Sequence, residues 1–268
     1  MMIVDIYQVD AFSASLFQGN PAGVCISASM LDEATMLAIA EEMAVSETAF
    51  LALDTMSLRW FTPKVEVALC GHGTLATAHV LAERGEVKMG DSVTFNTQSG
   101  PLEVTVKREG IAMAFPVPEL AEVTPNPSRL EALGLHGSVI RASYCFGEKE
   151  LLVVDSEDDV KALSPDFAAL NTQPGRGVVV TAASSDNTVD IVSRYFAPWV
   201  GVNEDPVTGS AHCALAVYWS QALSKKQLIG YQASTRGGQI KMTLSEDHVL
   251  LQGQTVTVFS GKLDLSKK

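Results

Sequence analysis

Two segments of the chain each open with a glycine and continue as a run of mostly small, uncharged residues. They read Gly71-His-Gly-Thr-Leu-Ala-Thr-Ala-His-Val-Leu and Gly209-Ser-Ala-His-Cys-Ala-Leu-Ala-Val-Tyr-Trp. The pattern predicts helices over 74–84 and 209–223, and a helix that is apolar on all sides is buried on all sides. We therefore expect a mixed α/β (α+β) fold with two similar domains, each wrapping bent strands around one central helix.

Short strands are predicted in both halves of the chain, separated by the proline-rich segment Phe115-Pro-Val-Pro118. Two prolines in four residues exclude a helix and an interior strand. The predicted domains are 1–117 and 118–268, and the last strand is free to return to the first domain. Aligning Gly71 with Gly209 also aligns Ala76 with Ala214. The alignment is short, so a duplication and a chance likeness both stay open.

A helix is also predicted around Met36 and Met43, where Ser29 followed by Asp32 suggests the capping pattern. Further strands are predicted over 3–12, 49–53, 58–61, 92–95, 102–107, 111–115, 151–154, 178–181, 189–196, 228–232, 240–244 and 255–259.

Charge and cysteine content narrow the classes of partner. Lys and Arg number 19 against 31 Asp and Glu, a net charge of −12, which repels nucleic-acid phosphates and anionic lipid. No apolar run is long enough to span a membrane, and no signal peptide is recognisable. The four cysteines are scattered, as is typical of reduced thiols in the cytoplasm. We expect a cytoplasmic protein with a small-molecule ligand, binding neither nucleic acid nor membrane.

The segment from Cys70 to Thr74 joins a strand, two glycines (Gly71 and Gly73) and a helix N-terminus. Unpaired N–H groups and the helix dipole there suit an anion such as a carboxylate. The glycines alternatively serve only the packing of a tight turn. The segment also matches the dinucleotide pattern Gly-x-Gly-x-x-Ala, with Asp91 at the distance of a ribose-binding acid. Asp91 opens the following strand instead of closing it, which argues against a nicotinamide site.

Two further segments carry polar groups at structural junctions. Asp205 precedes Thr208, Gly209 and Ser210 at the start of the second central helix, where it either faces a ligand or caps the helix. Glu47 lies between a helix and an apolar strand. It is either a solvated loop charge or, if desolvated, a proton carrier with a raised pKa.

Other catalytic classes fit the sequence less well. Cys70 and His72 flank one glycine, whereas the cysteine and histidine of a hydrolase normally come from separate elements. His72 and His79 are seven residues apart, with no acid in that segment to complete a zinc set. No metal site is predicted.

The chain resembles the PhzF-like (phenazine biosynthesis) family of isomerases and epimerases, within the diaminopimelate-epimerase-like superfamily. The matching stretches are Val9-Asp10-Ala11-Phe12, Gly19-Asn20-Pro21-Ala22-Gly23-Val24, Ser46-Glu47-Thr48-Ala49-Phe50, Phe61-Thr62-Pro63, 66–74 and 204–211. The resemblance implies two similar α/β domains, each a strand barrel around a central helix, with the site in a cleft. It also implies no metal or organic cofactor, and it is compatible with a homodimer.

The resemblance implies roles residue by residue. Glu47 matches the general acid/base, and His72 and Asp205 match cleft residues that assist proton movement and hold polar groups of the substrate. The residues matching or adjoining the substrate-binding turns are Ser46, Gly71, Gly73, Thr74, Thr208, Gly209 and Ser210. Of these, Ser46 directly precedes the acid/base and is in a position to orient it.

Racemases of the wider superfamily use two thiols on opposite faces of the substrate. Cys70 occupies the position of the first thiol, but Thr208 stands where the second is expected, and a hydroxyl is far too weak an acid for that role. Cys70 is then a spectator or a second proton carrier. The predicted function is cofactor-independent proton transfer on a small carboxylate by Glu47. The alternatives are an amino-acid epimerase or racemase using Cys70 with a carboxylate, a non-catalytic binding protein and, more distantly, a nicotinamide oxidoreductase.

Overall fold

The computed structural model describes residues 3–135 and 140–267. The chain divides into two compact units, one formed by residues 1–114 with 252–268 and the other by residues 115–251. Each unit contains one of the two glycine-led helices. Within the described ranges, no helix has the length and apolar character required to cross a bilayer.

The first unit contains two helices, α1 (Glu33–Met43) and α2 (Gly71–Glu83). Its strands are β1 (Ile3–Ala11), β2 (Asn20–Ser27), β3 (Glu47–Ala52), β4 (Ser57–Phe61), β5 (Glu66–Val67), β6 (Ser92–Thr97), β7 (Gly100–Lys107), β8 (Gly110–Pro116) and, from the end of the chain, β18 (Thr255–Asp264).

Strand β1 lies between β2 and β18, antiparallel to both. Strand β2 is parallel to β3, and β3 is antiparallel to β4. Strands β6, β7 and β8 form an antiparallel meander. Helix α2 packs against β1, β2, β3, β7 and β18, so it is the central helix that its apolar composition predicts. Helix α1 covers a separate cluster that includes Met36, Phe50 and Phe61, in which the two phenylalanine rings meet edge to face at 5.6 Å.

The second unit contains α3 (Pro127–Leu133), α4 (Glu157–Lys161), α5 (Phe167–Asn171) and α6 (Gly209–Ala222). Its strands are β9 (Ala121–Glu122), β10 (Ile140–Phe146), β11 (Lys149–Val154), β12 (Gly177–Ala183), β13 (Ile191–Ala197), β14 (Val202–Asp205), β15 (Gln227–Gln232), β16 (Gly238–Leu244) and β17 (His248–Gly253), the last of which extends past the end of the unit.

Strand β11 is antiparallel to β10 and parallel to β12, and β13 is antiparallel to β12 and parallel to β15. Helix α6 packs against β15 and β16. The helices α3, α4 and α5 contribute Leu130, Val160 and Leu170 to a second apolar cluster. The sequence does not set the bounds of these short helices, because each spans only five to seven residues, too few to show a helical period.

Several predicted boundaries differ from those in the structure, and at the starts of α1 and α2 a side-chain cap explains the difference. Helix α2 begins at Gly71 instead of residue 74, since Cys70 is its N-cap and its Sγ accepts a hydrogen bond from the Gly73 N–H. Helix α1 is capped by Asp32, whose side chain accepts from the Thr35 N–H, and not by Ser29. Strand β8 extends to Pro116, so the first proline of the proline-rich segment closes a strand.

Candidate active site

Ser46 and Glu47 lie at the junction between helix α1 and strand β3. Ala44 ends α1 in the left-handed conformation with φ 53°, and the chain then turns so that β3 begins at Glu47. Parallel pairing with β2 sets Glu47 opposite Ala22. The Glu47 carboxylate is therefore held at the first residue of a paired strand, and its side chain is 22 % exposed.

The first turn of α2 is built around the sulfur of Cys70. The Gly73 N–H lies 3.4 Å from Cys70 Sγ, and the Thr74 hydroxyl donates to the Cys70 carbonyl at 2.7 Å. A side chain at Gly73 would be tightly packed, because a Cβ there would stand 3.0 Å from both Cys70 Sγ and Trp60 Cδ1. The glycine thus serves packing, and the same turn directs the His72 side chain toward Glu47.

His72 joins the two segments. Its Nε2 lies 3.3 Å from Glu47 Oε2 and 3.3 Å from Ser46 Oγ, and its Nδ1 lies 3.5 Å from Cys70 Sγ. The His72 side chain is 11 % exposed. The structure therefore brings together four of the residues named from the sequence, Ser46, Glu47, Cys70 and His72. Cys70 and His72 interact directly although only one glycine separates them.

The electrostatics of this group correct the expectation of a raised Glu47 pKa. Burial alone would raise the pKa of Glu47, but the hydrogen bond and charge of His72, with a hydrogen bond from Ser46, outweigh burial and lower it. Burial alone would lower the pKa of His72, but the Cys70 sulfur and the Glu47 carboxylate outweigh burial and raise it well above its ordinary value. Burial raises the pKa of the Cys70 thiol.

These shifts favour a Glu47 carboxylate paired with a protonated His72, and they disfavour a thiolate at Cys70. The carboxylate can accept a proton, and the imidazolium balances its charge. The three side chains also offer one oxygen, one sulfur and one nitrogen ligand atom within 4.8 Å of one another. Glu47 is remote in sequence from Cys70 and His72, so no local pattern of ligand residues includes it. His79 does not join this set; its Nε2 lies 3.0 Å from Thr257 Oγ1.

In the second unit, the turn before α6 gathers Asp205 and Thr208. The Thr208 hydroxyl donates to Asp205 Oδ2 at 2.5 Å, so Thr208 makes no side-chain cap for α6. Gln232, which is fully buried, accepts from the Thr208 N–H at 2.9 Å and donates to the Asp205 carbonyl at 2.6 Å. Gln232 thus fixes the turn; it was missed because nothing in its local sequence marks it.

The side chain of Ser210 accepts a hydrogen bond from the Lys149 ammonium at 2.7 Å. Burial, with the nearby charge of Arg176, lowers the pKa of Lys149. No local pattern links Lys149 to this turn, because it stands 61 residues from Ser210. The neighbouring His212 is fully buried, and burial lowers its pKa to about 4, so it is a neutral core residue.

Comparison with known proteins gives relatives that extend over nearly the whole chain. A family model described as phenazine biosynthesis-like protein matches residues 9–261. A protein of Halalkalibacterium halodurans named an uncharacterized isomerase is 45% identical over 268 residues, covering 98% of this chain and 99% of the relative. The solved PhzF family phenazine biosynthesis protein of Enterococcus faecalis is 41% identical with a TM-score of 0.92, covering 98% of this chain and 100% of that one.

A solved structure with much lower sequence identity supports the fold and nothing further. The hydroxyproline epimerase of Agrobacterium vitis is 11% identical with a TM-score of 0.61, covering 99% of this chain and 94% of that one. The predicted mixed α/β, diaminopimelate-epimerase-like fold and the resemblance stated from the sequence are thereby confirmed. Since the family model spans residues 9–261 and the isomerase-named relative is 45% identical, the chain belongs to the phenazine biosynthesis-like protein family.

Proposed function

We propose that this protein is a cofactor-independent isomerase that moves a proton on a small carboxylate-bearing substrate, with Glu47 as the general acid/base. Similarity to relatives named isomerases supports the isomerase class. The observation that carries the mechanism is the Glu47 carboxylate held 3.3 Å from the His72 imidazole and still 22 % exposed. The carboxylate is ionised at neutral pH, a ligand can reach it, and His72 is its counterion.

In this mechanism Glu47 removes a proton from a carbon of the substrate and returns it to another carbon. When Glu47 takes up the proton it loses its charge, and the His72 imidazolium is then available to stabilise negative charge on the substrate. The Ser46 hydroxyl, 3.3 Å from His72 Nε2, keeps the imidazole oriented. Because its pKa is lowered, Glu47 is a weaker base than a carboxylate with a raised pKa. Neighbouring groups therefore have to stabilise the carbanion more strongly to reach the same activation barrier.

Each of the two glycine-led turns is assigned, taken by itself, to the binding of an anionic group. At the start of α2, the N–H groups of Gly71 and His72 have no carbonyl of their own helix to bind. Gly73 and Thr74 instead shape that turn through Cys70. At the start of α6, Thr208 supplies no side-chain cap, and Gly209 and Ser210 present N–H groups to an anion.

Two side chains next to this second turn, Asp205 and Lys149, add polar groups for binding a ligand. Asp205 is held by the Thr208 hydroxyl and is assigned to a polar group of a ligand bound at this turn. Lys149 donates to Ser210 Oγ, which leaves the Ser210 proton free to bind a carboxylate oxygen.

A second candidate function is an amino-acid epimerase in which Cys70 is one of the proton carriers. It is favoured by the 3.5 Å approach of His72 Nδ1 to Cys70 Sγ, since an imidazole beside a thiol can take its proton. The raised pKa of the Cys70 thiol suits the acid role, in which the thiol protonates a carbanion, better than the base role.

Solvent deuterium exchange into a panel of small carboxylates and amino acids tests the proposal. Wild type is compared with Glu47→Gln, which keeps the side-chain shape and removes the proton carrier, and with Cys70→Ser. We expect exchange on at least one compound, lowered about 10²- to 10⁴-fold in Glu47→Gln. Equal loss in Cys70→Ser, with exchange at the α-carbon alone, supports the epimerase instead. Ligand binding without exchange, unaffected by Glu47→Gln, contradicts both and supports a binding protein.

A further inference from the structure

The group around His72 combines three kinds of metal-binding atom. His72 Nε2 lies 3.3 Å from Glu47 Oε2 and 3.9 Å from Cys70 Sγ, and the ligand atoms of all three residues fall within 4.8 Å of one another. Thiolate, imidazole and carboxylate are the ligands that zinc takes in proteins, at about 2.0 to 2.3 Å. Tetrahedral ligands at those lengths stand about 3.3 to 3.6 Å apart; the 3.3 Å between His72 and Glu47 already matches this, whereas the Cys70 sulfur would have to move closer.

The charge of the ligand atoms once their protons are displaced also suits a divalent cation. Cys70 is the N-cap of a 13-residue helix, and the Gly73 N–H lies 3.4 Å from its sulfur; this contact favours the thiolate that forms when a metal ion displaces the thiol proton. A thiolate with the Glu47 carboxylate supplies two negative charges for a divalent ion. The chain as a whole carries a net charge of −12, which attracts cations. Glu47 and His72 are partly exposed, so an ion can reach them from solvent.

We propose that Glu47, Cys70 and His72 bind a thiophilic divalent cation such as Zn²⁺, and that the bound ion switches off the proton transfer assigned to Glu47. Binding replaces two protons: the Cys70 thiol proton and the His72 Nε2 proton leave to solvent, and three protein–metal bonds form. Three protein ligands leave one position of the ion for water or a ligand carboxylate. The inhibition rests on the proposed function, whereas the binding does not.

Cobalt(II) titration of the full chain tests the site directly, because a thiolate–cobalt bond gives a near-ultraviolet charge-transfer absorption that needs no turnover. The titration uses a phosphine reductant so that no added thiol competes for the metal, and Zn²⁺ is then added to displace the cobalt. We expect one equivalent to bind to wild type. Cys70→Ser retains a good N-cap and should fold, but lose the absorption. Glu47→Gln and His72→Gln should each weaken binding at least about tenfold, since even outer partners of metal ligands are worth that much.

Cys213→Ser is the matched control, because Cys213 is also a buried thiol at a helix but lies in α6 of the second unit. It should retain the absorption. Absence of the absorption in wild type, its persistence in Cys70→Ser, or unchanged affinity in Glu47→Gln and His72→Gln would each overturn the proposed site. Binding without inhibition of exchange would overturn only the inhibitory role.

Discussion

Replacing Glu47 and His72 by Gln, singly and together, measures how strongly the two side chains stabilise each other. Each single substitution removes one charge while nearly preserving volume. The difference between the double mutant and the sum of the single mutants isolates their pairwise interaction. The measured quantity is the free energy of unfolding, taken from urea titrations of wild type and the three variants.

The size of this interaction follows from the 3.3 Å separation of His72 Nε2 and Glu47 Oε2. Coulomb's law gives about 1 kcal/mol at that distance in water and about 5 kcal/mol with an effective dielectric constant of about 20. The side chains are 11 % and 22 % exposed, which places them between those limits. We expect a coupling of about 2 kcal/mol at pH 7, within the range found for residues in one hydrogen-bond network.

The pH dependence of the coupling has a definite sign. The folded pKa of Glu47 is lowered, so its share of stability is present above the unfolded pKa and is lost as pH falls through the folded value. The folded pKa of His72 is raised, so its share is present below the unfolded pKa and is lost as pH rises through the folded value. The coupling should therefore be largest near neutrality and decline on both sides.

The pair formed by Arg84 and Asp5 serves as control, with 2.7 Å between Nη1 and Oδ2 and exposures of 24 % and 31 %. A partly exposed salt bridge of this kind contributes about 0 to 1 kcal/mol to the free energy of unfolding. Because arginine stays protonated at alkaline pH, this contribution should not be lost there. A Glu47–His72 coupling below about 0.5 kcal/mol, or one that persists unchanged at high pH, refutes the assignment of a carboxylate–imidazolium pair.

Three further outcomes are expected. Exchange activity should decline as pH falls through the lowered pKa of Glu47 and as it rises through the raised pKa of His72; a pH–rate profile whose alkaline limb sits at the pKa of free imidazole would contradict this. Gly73→Ala should destabilise the protein by about 1 to 3 kcal/mol in thermal unfolding, because its Cβ would meet Cys70 Sγ at 3.0 Å. Gly209→Ala, whose Cβ would make only a 3.5 Å contact, should have little effect. Lys149→Met should raise KM for a carboxylate substrate about tenfold with a small change in kcat, as expected for a lost charge-assisted hydrogen bond; an unchanged KM would remove Lys149 from the site.

Much of the fold follows from composition at two places in the sequence. The small, uncharged residues after Gly71 and Gly209 predict buried helices. In the structure, α2 is in contact with five strands, as a buried helix should be. The three-residue error at the start of α2 arose because a cysteine N-cap is uncommon. Short helices such as α4, whose capping box is formed by Ser156 and Asp159, depend on tertiary packing and carry too little periodicity to be predicted.

The candidate site was only partly predictable, because its chemistry depends on contacts that are distant in sequence. The sequence names Glu47 and His72 as residues of one site, but burial is the only cause of a Glu47 pKa shift that it suggests. The pairing between residues 47 and 72 reverses the direction of its pKa shift. Lys149 and Gln232 reach the Ser210 turn from other strands, and no local pattern marks either of them.

The central claim, that the Glu47 carboxylate carries the proton, is tested most directly by chemical rescue. Solvent deuterium exchange is measured for Glu47→Ala on a substrate of the wild-type enzyme, with increasing concentrations of formate. The account predicts exchange that is absent without formate, rises with formate concentration and saturates, while Glu47→Gln, which fills the vacated space, stays inactive at every concentration. Exchange by Glu47→Ala at the wild-type rate without formate would contradict the account.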